Sequence, residues 1–279
     1  MKQIPKILHL YWDLSPMSFL QALTVVSFRK YNPEWCINCY VPKQGYSGRT
    51  KYIPDYLGED FFHVAKSVPG FNLIEVDLCD YNIDPQHHNI LRSDILRYHK
   101  LYECGGVWSD FDVVWLRPVE HFTNTDYFGD VAPDDISAVV SFSEGVCAIH
   151  SIGVLIHGKN DPYIGDVIEL TKLQKPPFRH ECFGSEMLCA AYPTLQHIRS
   201  KFPNTVGACF ETYYPYNIHP PKPTIKNLYE GLDLSPLDSK NVLCLHWYNG
   251  HVLSKRYVNG NGTSKHCSMT SLLKREGYI

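Results

Sequence analysis

The sequence predicts a layered α/β fold in which helices flank a central sheet. Three observations carry this: a strand, helix, strand succession within the first 41 residues, a helix with a defined apolar stripe leading into another apolar strand near residue 106, and ample core-forming content. At 279 residues and 44% hydrophobic composition, the chain can bury a sizeable core. No internal repeat, low-complexity segment or linker divides it. A single domain over residues 1–279 is therefore expected, with a first half at 1–120 and a more irregular second half at 121–279.

Residues 4–12 alternate weakly and read as the first strand, after which Ser15 and Pro16 open a helical run through Phe19, Leu20, Leu23 and Val26. Residues 35–41 read as the second strand, and this spacing implies parallel pairing. A third strand is expected at 72–76. Later, 136–142 and 147–156 read as strands, 161–173 as a helix, and 241–250 as the last apolar run. Tyr213, Tyr214, Tyr216 and Tyr229 lie in or near a stretch rich in Pro and Tyr. Such rings suit either loop packing or the faces of sugars.

The most informative helix spans 90–104, between Asn89, expected to cap it, and Gly105, expected to end it. At 100° per residue, Leu91, Ile95, Tyr98 and Tyr102 make one stripe, and Ile90, Asp94, Arg97 and Leu101 the stripe beside it. Arg92, Ser93, His99, Lys100 and Glu103 fall on the outer face, and Leu96 falls there with no reason of its own. Asp94 and Arg97 read either as a structural i, i+3 ion pair or as two groups looking into a cleft.

The run CGGVWSDFDVVWLRP, residues 104–118, then places Asp110 and Asp112 inside an apolar strand. Alternation puts both carboxylates on one face, about 7 Å apart. Their repulsion raises one pKa unless a cation or several donors compensate. Carboxylate oxygens are hard ligands that favour Mg²⁺ or Mn²⁺ and leave positions open for water and phosphate oxygens. With a glycine pair before them, the two aspartates fit a nucleotide-diphosphate site; solvated acids at a strand end are the plain alternative.

Net charge is −3, which excludes a chain-wide basic surface for nucleic acid. Residues 251–279 nevertheless carry Lys255, Arg256, Lys265, Lys274 and Arg275 against Glu276 alone. They read as a solvated tail or as a contact for a polyanion. No secretion signal or apolar stretch of spanning length is evident, and the ten cysteines read as reduced thiols, so a cytoplasmic location is expected. Cys147 and several others sit singly in apolar segments. Cys36 and Cys39 form one CxxC, suited to core packing or, less simply, to zinc or redox use.

Residues 93–114, SDILRYHKLYECGGVWSDFDVV, closely resemble the glycosyltransferase family known as the sugar-binding region containing DXD motif, and more distantly the glucosyltransferase domains of large clostridial toxins. The family pattern is SD, an arginine three residues after that aspartate, a glycine pair and DxD, and each element is present. Residues 4–12, IPKILHLYW, resemble the family's N-terminal strand. The resemblance implies a GT-A fold with a Rossmann-like mixed sheet, a UDP-sugar donor, a divalent metal, Mn²⁺ or Mg²⁺, and usually retention at the anomeric carbon. The nucleotide-sugar would occupy the half formed by 1–120 and the acceptor the half formed by 121–279.

Carried over by position, Trp12 stacks on uracil, and Asp94 and Arg97 hold the donor sugar's hydroxyls and the phosphate side of the scissile bond. Asp110 contacts ribose or sugar and the metal through water, while Asp112 ligates the metal. His246 is the candidate further ligand, with a core histidine as its alternative, and Trp247 beside it can cover the nucleotide. Glu186 is the candidate for orienting the acceptor, a helix-start glutamate being the plain reading. The acceptor is a glycan or protein hydroxyl, or a hydroxylated base in phage-type DNA, to which the basic C-terminal segment would be suited. A metal-dependent phosphohydrolase would need a second metal, for which His87-His88 and His180-Glu181-Cys182 offer only fragments. A non-catalytic nucleotide-sugar binder is opposed by the intact Asp94, Arg97, Asp110 and Asp112.

Overall fold

A computed structural model describes residues 4–43, 56–124, 131–143, 149–218, 223–260 and 262–279. Cys147 lies outside them. β1 (Ile7–Tyr11) leads to α1 (Phe19–Tyr31), and Ser18 caps that helix reciprocally with Gln21. β2 (Cys36–Pro42), α2 (Phe62–Lys66) and β3 (Phe71–Val76) follow. α3 (Asn89–Cys104) then feeds β4 (Gly106–Ser109). β2 pairs in parallel with both β1 and β3, and β4 pairs in parallel with β1.

The remaining elements are β5 (Val113–Trp115), β6 (Ala138–Ser143), β7 (Ile149–His157), α4 (Pro162–Leu173), α5 (Ser185–Ala191), α6 (Leu195–Lys201) and β8 (Thr205–Cys209), then α7 (Ile225–Glu230), β9 (Cys244–His246), α8 (Val252–Asn259) and α9 (Ser268–Arg275). The central sheet has the order β3-β2-β1-β4-β7-β6-β8, with β7 antiparallel to both its neighbours. β5 and β9 form a separate antiparallel pair. This is the mixed sheet flanked by helices expected of a GT-A fold. The strand order reverses between β1 and β4, and in open α/β sheets the crevice outside the strand ends at such a reversal is where ligands bind. Trp12 leaves one of these strands and Asp110 the other.

Several local expectations change. Asp110 and Asp112 do not lie within a strand: β4 stops at Ser109, residues 110–112 turn, and β5 starts a second sheet. The turn, like the expected strand, leaves both carboxylates able to approach one point. His88, not Asn89, occupies the cap position of α3, while Gly105 ends the helix with φ +66° as expected. The glycine pair serves strand packing, because a Cβ on Gly106 would collide with the carbonyl oxygen of Ile7 in β1.

α3 is also buried more widely than its stripe implied. Leu96, Arg92 and Lys100 are buried and Tyr102 is exposed. Leu96 packs in the cluster that also holds Ile164 and Val167 of α4, and Lys100 lies over the rings of Tyr40 and Tyr81. The basic C-terminal segment is no loose tail. Tyr257, Met269, Leu272 and Leu273 are buried in one cluster, and Arg275 pairs with Asp238. Cys36 and Cys39, three apart on β2, point to opposite faces, with Cys39 in the core, so they cannot chelate one ion together. No helix among the described residues is long and apolar enough to cross a membrane.

Candidate active site and cation centre

The 110–112 turn is held on both sides by backbone bonds. Asp110 N–H donates to the carbonyl of Gly153 in β7 at 2.8 Å, and Trp247 N–H donates to the carbonyl of Asp112 at 2.8 Å. β5 and β9 pair from Val113 opposite His246, so the end of β9 arrives beside the aspartates. One ligand atom each from Asp110, Asp112 and His246 lie within 4.8 Å of one another. This is the sole such group of His, Cys, Asp or Glu among the described residues, and neither His87-His88 nor His180-Glu181-Cys182 forms another.

The two carboxylates have different partners. Asp110 accepts from Trp108 Nε1 at 3.1 Å and faces Arg97 Nη2 at 3.2 Å. The same Nη2 donates to Asp94 Oδ1 at 2.6 Å, and Nη1 donates to the carbonyl of Ile152 at 2.5 Å. Asp94 and Arg97 are thus both an i, i+3 pair and a cleft pair, since α3 lays them against the acidic turn. Burial raises the Asp94 carboxyl to about 7 although Arg97 pulls it down; Asp110 and Glu181 push it further up. Two carboxylates share one guanidinium, leaving one buried negative charge in excess. Asp110 is likewise raised, by burial first and by Asp112, against the opposing pull of Arg97. Burial disfavours the charge on Arg97, but Asp110 and Asp94 more than offset this and raise its pKa.

Asp112 faces His246 Nε2 at 3.0 Å through Oδ1, and Oδ2 accepts from Asn249 N–H at 2.9 Å. Burial pushes this carboxyl up, but His246 and the backbone donors win and hold it below its ordinary value. Tyr248 adopts φ +56°, an uncommon left-handed conformation for a non-glycine residue, between the two residues whose N–H and imidazole meet Asp112. Its own N–H reaches His246 Nδ1 at 3.3 Å. His246 touches the rings of Tyr214, centroids 4.8 Å apart, and Tyr248, 4.6 Å apart, and those two rings lie 5.8 Å from each other, so the three form a triangle.

Two carboxylates and an imidazole converging at this range suit a single Mn²⁺ or Mg²⁺, with imidazole favouring the former. The side chains are 31%, 16% and 12% exposed for Asp110, Asp112 and His246, so the cluster opens to solvent on one side.

Trp12 is buried with its ring edge-on to Phe111, centroids 4.9 Å apart, and its Nε1 donates to Ser15 O. It borders the turn by packing against Phe111, the residue between the two aspartates. Trp247 is fully buried in the C-terminal cluster, so it serves the site through its backbone N–H and its ring does not face the cleft. Glu186 is not brought to the cluster. It begins α5, pairs with Arg179, and lines an open groove of about 480 Å³ with Cys182 and Met187. Gly153, Tyr214, Tyr248 and Asn249 were not foreseen in these roles. The tyrosine-rich stretch at 213–216 was the one sequence signal pointing toward any of them.

Residues 20–129 match the family described as glycosyltransferase sugar-binding region containing DXD motif. Among solved structures, the PaToxG glycosyltransferase is 16% identical, covering 72% of this chain and 73% of that one, with a TM-score of 0.49. An active-site mutant of LgtC is 15% identical over 87% of each chain, with a TM-score of 0.40. The catalytic domain of alpha-toxin from Clostridium novyi is 12% identical over 60% of this chain and 57% of that one, with a TM-score of 0.37. No curated protein sequence matches the chain.

Proposed function

We infer from this chain, a glycosyltransferase by its DXD sugar-binding region at residues 20–129, that it moves a sugar from a UDP-sugar to an acceptor hydroxyl. The convergence of Asp110, Asp112 and His246 beside the buried Arg97 is the observation that carries this reading. The cluster would hold Mn²⁺ or Mg²⁺, which supplies Lewis-acid stabilisation of the diphosphate when bound.

The chain's own groups account for the rest. Breaking the bond between the anomeric carbon and the diphosphate oxygen develops negative charge on the leaving phosphate. Arg97 carries a permanent charge, is anchored by Ile152 O and Asp94, and needs no reorganisation to meet that charge. Preorganised stabilisation of this kind is worth roughly 3–4 kcal/mol per group in comparable sites. Asp94 and Asp110 are acceptors for sugar and ribose hydroxyls. The nucleotide lies at the carboxyl ends of β1 and β4, with Trp12 bordering the base.

Each carboxylate of the cluster already faces a cationic or basic partner, which leaves none free as a strong base for the acceptor. That favours retention, with the departing phosphate taking the acceptor's proton. Glu186, in its open groove, is the acceptor-side group.

The test combines thermal shift with UDP and Mn²⁺ and an assay of UDP release from UDP-sugars. Together the ligands stabilise by about 2.7 kcal/mol at 100 times the dissociation constant, several degrees of melting temperature. Asp112→Asn loses both this shift and at least about 100-fold of turnover, since a direct ligand outweighs the 10–100-fold loss typical of supporting residues. A wild type indifferent to both ligands, or one releasing phosphate from simple esters instead, defeats the reading.

A further inference from the structure

Gly153 sits in β7 directly beneath the cluster, and its bare Cα is surrounded by three groups from different parts of the chain. A Cβ built there would lie 2.8 Å from the hydroxyl of Tyr214, 3.3 Å from Cδ2 of His246 and 3.4 Å from Oδ2 of Asp110. The first distance cannot be tolerated; the other two require small displacements. The missing side chain therefore makes the space in which the Tyr214 hydroxyl, the imidazole and the carboxylate come together.

Tyr214 is the large occupant of that space. It is buried, its hydroxyl is hydrogen-bonded to Ser151 Oγ two residues before Gly153, and its ring stacks on Phe210 with centroids 4.3 Å apart. The same ring also meets His246, centroids 4.8 Å apart and tilted by 44°. The imidazole has one rotatable bond beyond its Cβ and needs packing to fix its direction. Tyr214 and Tyr248, themselves in ring contact, form the corner against which it rests.

We propose that Gly153 and Tyr214 are the positioning pair of the cation centre: the glycine gives the tyrosine its seat, and the seated ring aims His246 at the point shared by Asp110 and Asp112. This inference rests on the cation reading above. Neither residue touches the ion; both act through His246. Residues that orient a metal-bound histidine typically change metal affinity by 10–100-fold.

Mn²⁺ binding is measured directly by titration calorimetry and by the loss of the free-ion electron paramagnetic resonance signal, in the absence of nucleotide. Wild type binds one ion saturably and Asp112→Asn does not. Gly153→Ala weakens binding by about tenfold or more, Tyr214→Phe stays within about threefold, and the double variant recovers most of the loss, because removing the hydroxyl removes the 2.8 Å collision. Melting temperature without Mn²⁺ is followed for each variant, so that a folding defect is seen as such. Absence of saturable binding in the wild type defeats the cation reading itself. Normal binding by Gly153→Ala, or failure of the folded double variant to recover, overturns the positioning pair while leaving the cation reading intact.

Discussion

Asp110 and Asp112 are two residues apart in one turn, yet their surroundings push them in opposite directions. Asp110, half-buried, joins the buried Asp94 and Arg97, where two carboxylates share a cation that cannot lose its proton. Asp112 belongs to a group with His246 and the backbone of Asn249, where the partner is an imidazole that can exchange one contact for another. The first side is raised by burial and excess negative charge, and the second is held low by its donors. A fixed positive charge suits stabilisation of a leaving group. An exchangeable ligand suits a site that must take up a cation. The difference between partners therefore separates the two tasks of the centre.

Removing the fixed charge should have the largest effect. Arg97→Leu leaves Asp94 buried without its cation and strips half-buried Asp110 of its partner, and breaking the buried Asp94–Arg97 pair in this way costs roughly 3–5 kcal/mol. Urea unfolding of metal-free protein measures it. A loss below about 1 kcal/mol would mean that water already screens this side, and the contrast with Asp112 would collapse.

A smaller effect follows from the surplus carboxylate. Asp94 is raised to about 7, above its unfolded value near 3.9. Between these values the folded state holds more protons than the unfolded one, so stability is full below pH 4 and falls as pH rises through 7. The slope from this group approaches about 1.4 kcal/mol per pH unit in that window. Asp94→Asn should flatten it in metal-free protein. An unchanged slope in the variant would assign the titration elsewhere.

The smallest effect is expected farthest from either aspartate. Glu186 and Arg179 form an exposed pair, worth at most about 1 kcal/mol. Glu186→Gln should change the acceptor KM by no more than about fivefold and leave Mn²⁺ binding untouched. A change in Mn²⁺ affinity would extend the cation centre into α5 and blur the division drawn between its two sides.

Legibility in the sequence followed chain distance. Asp94 and Arg97 lie one helical turn apart, so helix geometry alone put them on one face, and the glycine pair led from them to the aspartates. The early strands and α1 were similarly legible because their periodicity is local. Arg92 and Lys100 were misplaced on the outer face because the stripe argument counts polarity and cannot see the aromatic and carbonyl partners that bury them. In the second half, α5 to α9 are short, and their amphipathic patterns span too few turns to stand out.

By itself the sequence determined the α/β class, the helix that presents Asp94 and Arg97, and the acidic pair that follows it. These depend on rotations and rises along a few adjacent residues. Tertiary structure alone decided that the acidic pair is a turn between two sheets, that His246 returns 134 positions later to face Asp112, and that Gly153 leaves space beneath them. Those arrangements depend on strand pairing and on shapes meeting across the core, where the energy of each placement comes from residues that no local window contains.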